Sequence, residues 1–195
     1  MGLINRKERV KMVVVNLFGA PCSGKSATMA RLFSAMKAAG FNVEMAPEVV
    51  KDAVYSNDKY ILRDQLLSFA LQRKKLKQME GKVDYVITDA PLLLSLIYGE
   101  KQAAPFYDLV LKEFYSFDNV NFFLNCDFPY EQTGRIEDEA EAVVIKQDID
   151  YLLYVYNIPH TKILKLESSV FIDMLRTIVN HEPPKSNAEG LVACS

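Results

Sequence analysis

The stretch "GAPCSGKS" opens at Gly19 and carries two glycines five residues apart, the second followed directly by Lys25 and Ser26. Residue types at this spacing, G-x-x-x-x-G-K-[ST], are those a backbone cradle for phosphate requires. The glycines let the main chain approach phosphate oxygens, successive N–H groups at a helix N-terminus supply donors and positive dipole, and Lys25 reaches the β- and γ-phosphates. The Ser26 hydroxyl is expected to ligate Mg²⁺, and ATP is the nucleotide expected. The loop assigned to nucleotide binding comprises Gly19, Ala20, Pro21, Cys22, Ser23, Gly24, Lys25, Ser26 and Ala27. Cys22 reads as a variable loop position and not as a nucleophile, although a helix N-terminus lowers thiol pKa.

Three further places could complete a phosphoryl-transfer site. The apolar run in "VDYVITDAPLLL" ends in Asp89, where a carboxylate can orient Mg²⁺, directly or through water, or take a proton from an attacking hydroxyl. Glu48 in "MAPEVV" follows another apolar run and faces the crevice at the carboxyl ends of strands, where it could contact sugar hydroxyls or a substrate amine. Gln72, on the long helical stretch downstream, could face the same crevice and bind substrate. Arg135 sits in the polar segment "NCDFPYEQTGRIEDEAEA", and a closing lid at about 128–141 would deliver its guanidinium to the developing charge. The acids Glu137, Asp138, Glu139 and Glu141 are equally consistent with an exposed helix start.

These residues need a scaffold, and the pattern of the chain predicts one. Apolar, β-branched runs at 12–18, 41–46, 83–88, 120–126 and 163–166 alternate with helical periods, the signature of an α/β fold with a mostly parallel sheet. Met29, Leu32, Phe33 and Met36 make one helical stripe, and Ile145, Ile149, Leu152, Leu153 and Tyr156 another, each expected to lie on the sheet. A single helix is expected from about 62 to 79, with Leu62, Leu66, Phe69, Ala70 and Arg73 on one side. Its "RKKLK" segment reads as a solvated C-terminus that complements the helix dipole, or as a rim attracting a polyanion. Gly40, Gly81 and Gly99 stand where helices stop.

At 195 residues, half of them hydrophobic, the chain suits one core, with a single domain expected over 1–181 and a loose tail over 182–195. The formal net charge of −2 disfavours a nucleic-acid-binding surface while leaving a local basic patch open. Three cysteines, Cys22, Cys126 and Cys194, without paired or metal-ligand spacing suit a reducing, cytoplasmic setting. The N-terminal residues lack an apolar export segment, no run is long enough to span a membrane, and Arg6 replaces the Ser or Thr that myristoylation of Gly2 would want.

Together, "NLFGAPCSGKSA", "PEVVKDA", "DYVITDAPLLLSLIYG" and "GRIEDEAEAVVIKQDIDYLLYVYNIPHTKI" give a chain that resembles the small P-loop kinase and AAA-type ATPase family. That family includes the ribosylnicotinamide kinase domain of bacterial NAD-salvage enzymes and, more distantly, nucleoside and nucleotide kinases; members are frequent in bacteriophage genomes. The resemblance implies a three-layer P-loop NTPase fold, a mostly parallel five-stranded sheet with helices on both faces, and a lid. It maps the strand-end acid to Asp89, the acid after the second strand to Glu48 and the lid arginine to Arg135. The lid reads Thr133-Gly134-Arg135 where the ribosylnicotinamide kinases read Asp-Gly-x-Arg, and no second arginine follows between Ile136 and Lys146. The expected activity is ATP-dependent transfer of a phosphoryl group to a hydroxyl or phosphate of a nucleoside- or nucleotide-like acceptor. A kinase acting on a modified base or end of DNA and a nucleotide-binding switch are the alternatives. No N-K-x-D motif of a GTPase is present.

Overall fold

The central strand of the sheet, β1 (Val13–Phe18), is buried along its whole length. It has parallel neighbours on both sides, so both faces are covered and the run is continuously apolar instead of alternating. A computed structural model describes residues 11–98, 103–126, 128–131 and 137–181. Within them β2 (Val43–Ala46), β3 (Tyr85–Thr88), β4 (Asp118–Leu124) and β5 (Thr161–Ile163) complete a sheet of order β2-β3-β1-β4-β5, and every pairing is parallel. Gly99, the N-terminal residues 1–10, the tail 182–195 and the part of the expected lid that holds Arg135 lie outside the described residues.

The helices are α1 (Lys25–Ala38), α2 (Val49–Ser56), α3 (Lys59–Arg63), α4 (Gln65–Lys77), α5 (Ala104–Tyr115), α6 (Glu139–Val155) and α7 (Ser168–Val179), with a 3₁₀ turn at Leu92–Leu96. On one face of the sheet, Met29, Leu32 and Met36 of α1 join Phe171, Met174 and Ile178 of α7 against Val13, Val15 and Leu17. On the other, Phe69 and Leu76 of α4, Val110 and Phe114 of α5, and Ile149 and Leu153 of α6 cover Val14, Phe18, Val86 and Phe123. Both predicted stripes therefore lie on the sheet, on opposite faces. Asn16 is the polar exception inside β1, and its amide donates at 2.9 Å to both Asn119 Oδ1 and Asn121 Oδ1, pinning β1 to β4 from within the core.

Several elements depart from the expected boundaries, β4 among them at Asp118–Leu124 in place of the expected 120–126. The long helix expected over 62–79 is two helices, because Asp64 adopts an extended conformation and its carboxylate accepts from the Leu67 N–H at 2.9 Å, starting a new helix. The restart turns Leu66 to solvent and puts Phe69, Gln72 and Leu76 inside. The fifth strand ends at Ile163, leaving Leu164 exposed and Leu166 partly buried against the core. The acids at 138–141 begin α6 through a capping box, in which Asp138 accepts from the Glu141 N–H and Glu141 accepts from the Asp138 N–H, both at 2.8 Å.

The cations of "RKKLK" are largely engaged within the molecule. Arg73 pairs with Glu113 at 2.8 Å, Lys75 donates to the Pro47 carbonyl at 2.9 Å, and Lys77 lies over the Phe117 ring and near Glu80. The segment is the C-terminal turn of α4, as the dipole argument expects, and these contacts draw charge away from a polyanion rim. Among the described residues, no helix is long and apolar enough to cross a membrane.

Candidate active site

The parallel sheet brings the carboxyl ends of β1, β2 and β3 to one edge, and the chain leaves each strand there with a residue of chemical interest. After β1 comes the Gly19–Ser26 loop, after β2 Glu48, and directly after β3 Asp89. They line one cleft of about 460 Å³ together with Lys51 of α2, Tyr98, Glu137 and the apolar side chains Val50, Val54, Leu94, Phe128 and Leu166.

The loop has the shape its glycines predict. Gly24 caps α1 at φ 87° and ψ 14°, so the first helical turn opens toward the cleft without a side-chain cap. A Cβ on Gly24 would lie 2.8 Å from Leu166 Cδ1 and 3.2 Å from Phe128 Cε2, and one on Gly19 would lie 2.9 Å from the Leu124 carbonyl. Gly24→Ala is therefore expected to destabilise the fold by about 1–2 kcal/mol from the left-handed backbone alone and to lower nucleotide affinity. Thermal unfolding and nucleotide titration check both, and an alanine variant with native stability and affinity would contradict the cradle.

Lys25 folds over the loop, its ammonium donating to the carbonyls of Gly19 at 2.7 Å and Ala20 at 2.8 Å. The Ser26 hydroxyl donates to Asp89 Oδ2 at 2.6 Å, and Asp89 Oδ1 accepts from the Glu48 N–H at 3.0 Å. Asp89 is thus buried between the phosphate loop and the turn after β2. Cys22 sits at φ 62° in the loop; its Sγ accepts from the Glu131 N–H at 3.2 Å, tying the loop to the segment after β4.

Glu48 is half-buried at its surface, yet its carboxyl is deep in the cleft. Burial pushes its pKa up from the ordinary 4.5; Lys25 opposes that shift, Asp89 and Glu137 reinforce it, and Lys51 opposes it more weakly. Burial likewise pushes the Tyr98 phenol above its ordinary value, with Glu137 and Glu48 adding to the shift. Ionised Glu48 is disfavoured in the folded protein. Stability on its account is full below pH 4.5 and lost as pH rises through the raised folded value. Glu48→Gln is accordingly expected to raise the melting temperature at neutral pH, with the gain fading at acidic pH; equal melting temperatures at neutral pH would refute the strained charge.

The donor set fits ATP and Mg²⁺. The buried Ser23 hydroxyl has no hydrogen-bond partner among the described residues, and Gly19 and Gly24, at φ 155° and 87°, give the loop a backbone path that residues with a side chain rarely adopt. Ser26 and Asp89 offer hard oxygen ligands side by side. Among the described residues there is no cluster of three or more His, Cys, Asp or Glu able to hold a metal ion.

Of the residues singled out in the sequence, the loop, Glu48 and Asp89 come together in the cleft. Gln72 does not: it lies behind the cleft wall with its amide engaged by backbone and by Thr88. Its place follows from the restart of α4 at Asp64, which rotates the helix relative to the one continuous helix expected. Arg135 lies outside the described residues. Lys51, Tyr98 and Leu166 line the cleft without having been expected. The spacing of Val50, Lys51 and Val54 directly after Glu48 could have revealed the α2 wall, whereas nothing local to Tyr98 or Leu166 marks them.

The fold is that of known kinases. Deoxyadenosine kinase from M. mycoides, in a structure with the products dCMP and a flexible dCDP bound, superposes with a TM-score of 0.54 at 18% identity, over 86% of this chain and 98% of that one. The same enzyme with dATP bound gives 0.52 at 17% identity, over 86% and 100%. Thymidylate kinase from Ehrlichia chaffeensis gives 0.56 at 14% identity, over 86% and 99%. At these identities the likeness establishes the P-loop kinase fold. No curated protein matches in sequence. The model of the AAA domain family, however, matches residues 14–167, from the second residue of β1 through the phosphate loop and Asp89 to just beyond the last strand, and the chain belongs to that family.

Proposed function

We propose that this protein is an ATP-dependent kinase that transfers the γ-phosphoryl group to a hydroxyl or phosphate of a nucleoside- or nucleotide-like acceptor, in the cytoplasm. The observation that carries the reading is the continuous link from the Ser26 hydroxyl through the Asp89 carboxylate to the Glu48 backbone N–H, which joins the phosphate loop to the turn after β2 in one cleft. The bound nucleotides of the M. mycoides enzyme, on the same fold, support an acceptor of that class. Three cysteines without paired or metal-ligand spacing suit a reducing compartment.

ATP supplies the phosphoryl group and Mg²⁺ offsets the charge on its oxygens. The loop N–H groups and Lys25 bind and orient the phosphates, with Lys25 exchanging its carbonyl partners for phosphate oxygens. Ser26 and Asp89 hold the metal side. Glu48, whose carboxylate burial makes more basic, takes the proton of the acceptor hydroxyl as that oxygen bonds to the γ-phosphorus and the bond from that phosphorus to the ADP oxygen breaks. Val50, Val54, Leu94 and Tyr98 form the wall on which the acceptor's base and sugar rest.

Arg135 is assigned the developing negative charge. Arg135→Ala is expected to lower kcat far more than it raises the KM for ATP, since an arginine acting on the transition state spares ground-state binding. Steady-state kinetics decide this, and an equal change in the two parameters would make the arginine a phosphate clamp. The whole reading is tested by incubating the protein with ATP and Mg²⁺ against nucleosides, nucleotides and DNA ends. A kinase accumulates ADP only when its acceptor is present; slow, acceptor-independent hydrolysis would make the protein a switch, and turnover on DNA alone would move the acceptor to nucleic acid.

A further inference from the structure

Glu48 and Asp89 lie just beyond the last ladder pair of β2 and β3, Ala46 opposite Thr88. The sheet no longer holds the backbone there, yet the two carboxylates must keep a fixed spacing for the proposed transfer. We propose that Gln72 and Thr88 are positioning residues that form a buried clamp setting the relative placement of Glu48 and Asp89.

The clamp is complete in its hydrogen bonds. The Thr88 hydroxyl donates to the Ala46 carbonyl at 2.8 Å and accepts from the Ala90 N–H at 3.1 Å and from Gln72 Nε2 at 3.3 Å. One donor and two acceptor sites are all a hydroxyl has, and all are used. Gln72 Nε2 donates also to the Ala46 carbonyl at 3.3 Å, and Gln72 Oε1 accepts from the Val49 N–H at 3.2 Å. These partners fix the amide orientation, because only Oε1 can receive an N–H and only Nε2 can serve a carbonyl. Glu48 is held on both sides of its turn, at Ala46 and Val49, and Asp89 on both sides of its own, at Thr88 and Ala90. The Glu48 N–H to Asp89 Oδ1 bond at 3.0 Å closes the ring.

Both side chains are buried, so each bond counts in a medium where an unpaired group is costly. Removing the hydroxyl would strand the Ala90 N–H and one Gln72 hydrogen, and the strand ends would shift to find partners. Displacement of a reacting group by about 1 Å can cost about 10²-fold in rate. The clamp touches neither substrate nor cleft, so its effect passes through Glu48 and Asp89.

This inference rests on the kinase reading, and the experiment separates the two. Thr88→Val and Gln72→Met remove the clamp at nearly constant volume, and Thr88→Ser keeps the hydroxyl as a conservative control. The first two are expected to lower kcat by about 10- to 10²-fold and to raise the KM for ATP by less than that, and Thr88→Ser is expected to retain most of the activity. In a Glu48→Gln background the further loss from Thr88→Val should be smaller than in the wild type, because one of the two positioned groups is gone and only Asp89 is still displaced. Independently of turnover, the Glu48 side-chain carboxyl signal in ¹³C spectra of the free protein should move in Thr88→Val and not in Thr88→Ser. If Gln72→Met does not fold, the Thr88 pair decides alone. The clamp is overturned if the carboxyl signal is the same in all variants, if Thr88→Ser is as impaired as Thr88→Val, or if the losses simply add in the Glu48→Gln background. A wild-type protein that phosphorylates no acceptor would end the kinase reading, while the carboxyl signal would still decide the clamp.

Discussion

Lys25→Ala is expected to lower phosphoryl transfer by at least about 10²–10³-fold while the protein stays folded. Lys25 is the one described cation inside the phosphate loop, and its ammonium is held by two loop carbonyls and not by the hydrophobic core. The variant takes the ammonium away from two carbonyls of buried residues, a cost of about 1–3 kcal/mol, while both core clusters keep all their side chains. The charge lost is the one that balances the β- and γ-phosphate oxygens as the bond between phosphorus and the leaving oxygen breaks. Circular dichroism should match the wild type and turnover should fall below detection. A variant that turns over at the wild-type rate would remove the phosphate-loop assignment, and with it the function proposed.

Asp89→Asn is expected to reduce kcat/KM by about 10²–10⁴-fold. The bonds of Asp89 favour a particular origin for that loss. Its Oδ2 is engaged by Ser26, the expected Mg²⁺ ligand, and its Oδ1 by the Glu48 backbone, so the carboxylate is aimed at the metal side of the cleft. An asparagine can preserve one of these contacts, but it removes the charge and places an amide hydrogen where an oxygen is needed. Mg²⁺-dependent affinity for ATP should therefore weaken along with turnover, whereas affinity measured without Mg²⁺ should barely change. Retained Mg²⁺-dependent binding with a slow chemical step would make Asp89 the proton acceptor and leave Glu48 as an acceptor-binding group. An unchanged rate would exclude both roles.

Much of this site could be read before any coordinates, because its chemistry is local in sequence. The phosphate loop needs adjacent glycines, a lysine and a serine between a strand and a helix, and all are contiguous from Gly19 to Ser26. Asp89 and Glu48 could be placed because each follows an apolar run, and in a parallel sheet every such run ends on the same side. β1 and β3 were legible for the same reason, since burial on both faces writes an apolar run, whereas β5, with Thr161 and Lys162 exposed, overlaps its expected run only at Ile163. What escaped was decided by tertiary contacts. The break at Asp64 depends on one carboxylate capping a new helix, which a helical period running through it conceals. That break turned Gln72 from an expected cleft residue into a buried bridge between strand ends. Tyr98 and Leu166 enter the cleft from distant segments, and nothing in their immediate sequence announces the meeting.

The most direct test follows the phosphoryl group itself. The protein is mixed with Mg²⁺ and ATP labelled at the γ-phosphorus, together with a panel of nucleosides and nucleotides, and the label is traced by chromatography. The account predicts that the label appears covalently on one acceptor class in step with ADP, and that it does so with the wild type and not with Lys25→Ala. Label recovered only as inorganic phosphate, at a rate indifferent to every acceptor, would contradict it.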